Sequence, residues 1–215
     1  MSSIKNELKS WVTELENYRM PNWDDLPDID LYMDQVITYL EKQLAIFSKS
    51  EDEKFITPAM INNYVKNQII PRPLKKKYTR EHMAHLISVL NLKNILSLID
   101  ITRLINHEIS DKPISTLFDQ LNSIQDEAFK ATALRVRDSL EKLDDNNIEK
   151  EYEERLSLLA LKFSLEANAN RIAAKKILDE IMTHKSKFQE DEVKENGKDK
   201  VKEKNKDTKE VPYRK

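Results

Sequence analysis

Three side chains, Asn62, Asn63 and Lys66, fall on one side of a short predicted helix. Thr57 is a good N-cap because its hydroxyl can accept a free backbone N–H, and Pro58 fits the next position, where no N–H is needed. The helix should run from Pro58 to about Asn67. At about 100° per residue, Ile61, Tyr64, Val65 and Gln68 share one side, and Ala59, Asn62, Asn63 and Lys66 share the other. An asparagine amide matches the donor–acceptor edge of adenine in a major groove. Arg72, Lys75, Lys76 and Lys77 follow at once, spaced by Pro71 and Pro73. This is a stiff basic loop of the kind that neutralises phosphates. Together these residues predict a helix-turn-helix with a small wing, and double-stranded DNA as the partner.

Other chemistries find less support. His82 and His85 lie three apart, a spacing that could hold a metal, but no third histidine or evident carboxylate completes the set. They read as surface or phosphate-facing groups. The chain has no cysteine, which removes disulfides and thiolate metal sites. It has no glycine-rich phosphate loop and no nucleophile–base pair. The expectation is a binding protein, not an enzyme, with no cofactor and no metal.

The elements that must position these residues are helical. One glycine and seven prolines in 215 residues leave little material for sheet turns, so an all-α fold is expected. Charged residues make up 34% and hydrophobic residues 39%, and the net charge is -2. That balance hides an asymmetry. Residues 1–53 are rich in acids, whereas 54–93 hold eight cations against the single acid Glu81. A basic segment inside an acidic chain is a nucleic-acid signal, although a solvated face gives the same pattern. The N-terminus has no apolar h-region, and the best apolar run, Leu156 to Leu165, contains Lys162. No membrane span and a cytoplasmic location are expected.

In chain order, a first helix should run from Ile4 to about Tyr18 with Ser3 as cap, followed by a turn-rich linker from Met20 to Pro27 in which Trp23 is anchored. A second helix should start at Asp28 or Asp30 and reach about Phe47, with a charged connector from Ser48 to Lys54. Thr79 and Ser97 should cap the next two helices. Asp111-Lys112-Pro113 marks a boundary. A long helix from about Ser115 to Leu143 is then broken at 144–147 and followed by a longer one from Ile148 to about Lys187. In this last helix Tyr152, Leu156, Leu159, Phe163, Ala173, Ile177 and Ile181 recur near heptad spacing, and Leu158, Leu161 and Leu165 widen the apolar face. Burial on more than one side is expected, either in a hairpin that pairs with a second copy or in an intrachain bundle. From Gln189 to Lys215 hardly any apolar residue remains, so disorder is expected. The division is 1–22, an N-terminal helix; 23–110, the helix-turn-helix domain; 111–188, a helical hairpin for dimerisation or regulation; and 189–215, a disordered charged tail.

The run LPDIDLYMDQVITYLEKQL, with MINNYVK…P…KKYTREH behind it, resembles an uncharacterised bacterial domain-of-unknown-function family over roughly Trp23 to Ile105. The same region resembles the DNA-binding domain of MerR-type regulators. Asn63-Tyr64 and Ile69-Ile70-Pro71 stand where that family ends its reading helix. Lys75-Lys76-Lys77-Tyr78-Thr79 stands for its basic wing and next cap, and SLIDITRLI from Ser97 for its second capped helix. That resemblance implies an all-α, MerR-like fold with a short basic wing and a long dimerisation helix. It implies phosphate contacts for Tyr64, Arg72, Lys75, Lys76, Lys77, Tyr78 and Arg80, and groove contacts for Asn62, Asn63 and Lys66. The chain departs from the pattern in having Asn62 where the family has arginine, a shorter wing without glycine, and an extra N-terminal helix. The alternative is an all-helical interaction module with a degenerate helix-turn-helix.

Overall fold

The computed structural model describes residues 2–47, 55–142 and 149–207. The expected connector at 48–54, the break at 144–147 and the last residues of the tail lie outside them. Among the described residues the fold is all-helical: α1 Ser2–Asn17, α2 Met33–Gln43, α3 Pro58–Lys66, α4 Arg80–Leu92, α5 Leu98–Glu108, α6 Ile114–Glu141 and α7 Glu149–Asp207. Short 3-10 turns occupy Trp23–Asp25 and Ala45–Phe47. Extended pairing is limited, among these residues, to two isolated bridges, Leu31 with Tyr78 and Leu74 with Lys77. The chain divides into two compact units, 1–167 and 168–215. Among the described residues, the second consists of the distal part of α7.

The first unit is built around α4. Nine consecutive residues, His82 to Leu90, are buried. A helix apolar on all sides belongs inside a protein, and α4 follows that rule. Two of its polar members are satisfied locally: Ser88 Oγ donates to the Ala84 carbonyl at 2.8 Å, and His85 Nδ1 lies 2.9 Å from the Glu81 carbonyl. Leu26, Val36, Leu40 and Leu44 from the N-terminal side, Ile56, Ile61 and Tyr64 around α3, Ile101 and Ile105 of α5, and Phe118 of α6 close the core. Burying each large aliphatic side chain contributes about 1.5–3 kcal/mol. A second core joins Val12 and Leu15 of α1 to Ala133, Val136 and Leu140 of α6 and Tyr152 of α7.

Side chains spaced three and four apart along α6 hold the linker between α1 and α2. Asp119 Oδ1 accepts from the Trp23 N–H at 2.7 Å, Asn122 Nδ2 donates to the Pro21 carbonyl at 2.6 Å, and Asp126 Oδ1 accepts from the Met20 N–H at 3.4 Å. At this spacing all three point from one helix face. They place the 3-10 turn at Trp23–Asp25, which in turn meets the N-terminus of α4.

Three expectations need correction. The second helix starts at Met33, not at Asp28 or Asp30, because the preceding residues pair elsewhere: Leu31 and Tyr78 exchange both backbone hydrogen bonds, at 2.9 and 2.8 Å. Helix α7 extends to Asp207, past the end expected near Lys187. Finally, α7 is not buried on two sides near its start. Tyr152, Leu156 and Phe163 pack on the second core, while Leu158, Leu161 and Leu165 stay 54–65% exposed.

Candidate nucleic-acid interface

Helix α3 begins as its sequence requires. Thr57 Oγ1 accepts from the Met60 N–H at 3.3 Å, with Pro58 in the first turn. Ile61 and Tyr64 are buried, whereas Asn62, Asn63 and Lys66 are exposed. The helix ends in a Schellman motif: the Ile69 N–H reaches back to the Tyr64 carbonyl at 2.9 Å and the Gln68 N–H to Val65 at 3.1 Å. Gln68 therefore takes the left-handed position, with φ 57°. Ile69 and Ile70 are buried beyond it and fix where the basic loop leaves the core.

The two asparagines differ. Asn67 Nδ2 donates to both the Asn63 carbonyl, at 2.9 Å, and the Asn63 Oδ1, at 2.8 Å. This orients the Asn63 amide but occupies its acceptor. Asn62 makes no such bond among the described residues, so both halves of its amide remain open to a bidentate partner.

The basic loop closes as a two-residue turn. The Lys77 N–H donates to the Leu74 carbonyl at 2.9 Å, and Lys75 and Lys76 take φ of 50° and 63°. Positive φ at both central residues is the signature of a type I′ turn, normally met by Asn-Gly. Two lysines in that conformation cost about 1–2 kcal/mol each. Arg72, Lys75 and Lys76 are exposed, and among the described residues no carboxylate pairs with them or with Lys66. Lys77 is half-buried, its Nζ 5.6 Å from the centre of the Tyr32 ring.

Three residues grouped with these by sequence sit differently. Tyr64 and Tyr78 are core residues, each 3% exposed, and burial pushes both hydroxyls above their ordinary pKa. They support the site from beneath and do not stand at its surface. The Arg80 guanidinium is already engaged. Nη2 lies 3.0 Å from Asp28 and Nη1 3.8 Å from Asp24, with the group 5.7 Å from the centre of the Trp23 ring. The acid-rich linker thus neutralises the start of α4 and leaves the cationic surface at Arg72, Lys75 and Lys76.

His82 and His85 are buried on α4 and do not face phosphate. His82 Nδ1 accepts from the Thr79 N–H at 3.1 Å and lies 2.8 Å from Thr79 Oγ1. This makes His82 part of the α4 cap, and burial lowers its pKa. No group of three or more metal-ligating side chains occurs among the described residues.

Sequence reasoning missed a groove of about 430 Å³ beside the end of α3, lined by Asn67 and Ile69 and by Leu98, Ile99, Arg103 and Asn106 of α5. The polar side of α5 was its only sequence signal. Asn67 joins this groove to the Asn63 amide.

These features define an all-helical domain that carries an exposed cationic turn just after a short, doubly capped helix. The chain belongs to the family described as Domain of unknown function (DUF1836), whose model matches residues 21–129, just over half of the chain. The match runs past the boundary expected near 110 and ends on α6, so it includes the three side chains that hold the linker. No curated protein and no solved structure matches the chain.

Proposed function

We propose that this protein is a DNA-binding regulator of MerR-like helix-turn-helix type. Helix α3 enters the groove of a duplex and the turn at Leu74–Lys77 acts as its wing. The observation that carries this reading is the exposed set Lys66, Arg72, Lys75 and Lys76, without a carboxylate partner among the described residues, next to an α3 face whose polar groups are the amides of Asn62 and Asn63. The lysines and Arg72 neutralise phosphates and Asn62 reads a base edge, with Asn63 held by Asn67 as a second contact. Tyr64, Tyr78 and Arg80 act behind them as supports. No residue is assigned a reacting role. Dimerisation through the long C-terminal helices belongs to the same reading, with Leu158, Leu161 and Leu165 as the available apolar face.

Retention of duplex DNA on a gel, followed across a salt series, tests this. Binding should weaken steeply with salt, by roughly 0.9 log units per log unit of salt for each phosphate neutralised. Lys75, Lys76 and Lys77 changed together to alanine should weaken binding to every sequence, and Asn62→Ala should relax discrimination between sequences by about 1–3 kcal/mol. Retention that is absent or indifferent to salt refutes the reading.

The second reading is an interaction module for another protein. It draws on Ile29 and Tyr32, 70% and 53% exposed beside the bridge that anchors the wing. Ile29→Ser with Tyr32→Ser would then abolish partner capture and leave DNA retention untouched.

A further inference from the structure

Leu74 is 77% exposed, more than any other large apolar side chain described in the chain. A single exposed leucine is ordinary on a protein surface. This one differs in its setting. It opens the two-residue turn, is held there by the Lys77 N–H, and follows Pro71 and Pro73, which stiffen its approach. Arg72 on one side and Lys75 and Lys76 on the other are exposed cations without a carboxylate partner among the described residues. The turn also keeps two lysines at positive φ, where Asn-Gly would relieve about 1–2 kcal/mol per residue. A turn that served only to connect α3 to α4 gains nothing from that arrangement. One that must present an apolar side chain among phosphate-binding groups does.

We propose that Leu74 is an apolar wedge that enters a base step of duplex DNA and kinks it, while Arg72, Lys75 and Lys76 hold the flanking phosphates. Minor-groove proteins use leucine in this way, spending unstacking energy to bend DNA onto more protein surface. The occupant is a duplex because the side chain is surrounded by unpaired positive charge, which opposes insertion into another cationic or neutral surface and favours a polyanion. Pyrimidine–purine steps, the easiest to unstack, should be preferred. This inference rests on the proposed DNA binding and adds a residue-level mechanism for distorting the duplex.

The test uses the full chain and an end-labelled duplex of about 40 bp with a central TA step, read by gel retention and by end-to-end energy transfer, against the same duplex with a stiff A-tract. Wild type should shorten the end-to-end distance of the TA duplex. Leu74→Ala should bind about tenfold more weakly and leave the duplex straight with the salt slope unchanged, because no charge has been removed. Leu74→Phe should retain the bend. Leu74 is nearly free of the core, so equal melting temperatures for the variants check that the fold is intact. If wild type and Leu74→Ala bind with the same affinity and the same bend, or if wild type binds without bending, the wedge is refuted while the DNA reading stands. If wild type shows no salt-sensitive retention, both fall.

Discussion

The amide of Asn122, in the first third of α6, donates to the Pro21 carbonyl at 2.6 Å, and both residues are buried. This bond links two parts of the chain that share no secondary structure. With Asp119 and Asp126 it holds residues 20–23 against α6, and through the turn at Trp23–Asp25 it sets Asp24 against Arg80 at the start of α4. The start of α4 thus depends on a helix about forty residues further along the chain. Asn122→Leu leaves the Pro21 carbonyl without its donor and should cost about 1–3 kcal/mol. The low end is favoured because Asn122 Oδ1 is itself buried without a partner among the described residues. Urea titration of the two proteins measures it. A difference below about 0.5 kcal/mol would mean that the linker is held by its apolar contacts alone.

Gln68 occupies the left-handed position that ends α3, where glycine carries no steric penalty. Gln68→Gly should stabilise the protein by about 1 kcal/mol, and Gln68→Val should destabilise it by more than that. Thermal melts of the pair decide the matter. Equal melting temperatures would show that the Schellman geometry is not kept in solution.

His82 gives the fold a pH dependence. Its pKa is lowered from 6.5, first by burial, so the folded protein favours the neutral ring, and its Nδ1 accepts the Thr79 N–H that caps α4. A histidine with a lowered folded pKa is charged more readily in the unfolded chain. The unfolded state therefore takes up more protons as the pH falls below about 6.5, and stability drops across that window until the folded pKa is passed. The Arg72 backbone, then the Glu81 and Asp30 charges, oppose the shift, and the His85 ring reinforces it. His82→Gln removes the titration and should flatten the stability profile below about pH 6.5. Chemical denaturation at several pH values checks this, and a parallel decline in both proteins would contradict it.

The legible parts of the structure were those set by local chemistry. Thr57-Pro58, Thr79 and Ser97 each precede a helix, as their hydrogen-bonding groups predict, and the α3 face separates into Ile61 and Tyr64 inside and Asn62, Asn63 and Lys66 outside. What escaped was non-local. The pairing of Leu31 with Tyr78, which delays α2 to Met33, leaves no mark on either segment alone. The burial of Tyr78 and the capture of Arg80 by Asp24 and Asp28 depend on the linker folding back, which the α6 side chains bring about. The spacing of Asp119, Asn122 and Asp126 was visible, but their backbone partners were not. The tight turn carries no Asn-Gly signal because lysines occupy the positions where the backbone prefers those residues.

The central claim is that the turn lysines bind phosphate, and one double variant separates that role from their part in the fold. Lys75→Asn with Lys76→Gly supplies the residues a type I′ turn prefers, so the wing should become more stable by about 1 kcal/mol or more while losing two charges. The decisive measurement is the dependence of duplex affinity on salt for this variant and wild type. A higher melting temperature is expected together with weaker DNA binding and a log–log salt slope shallower by about 1.8. A more stable variant that binds duplex DNA with the wild-type slope would contradict it.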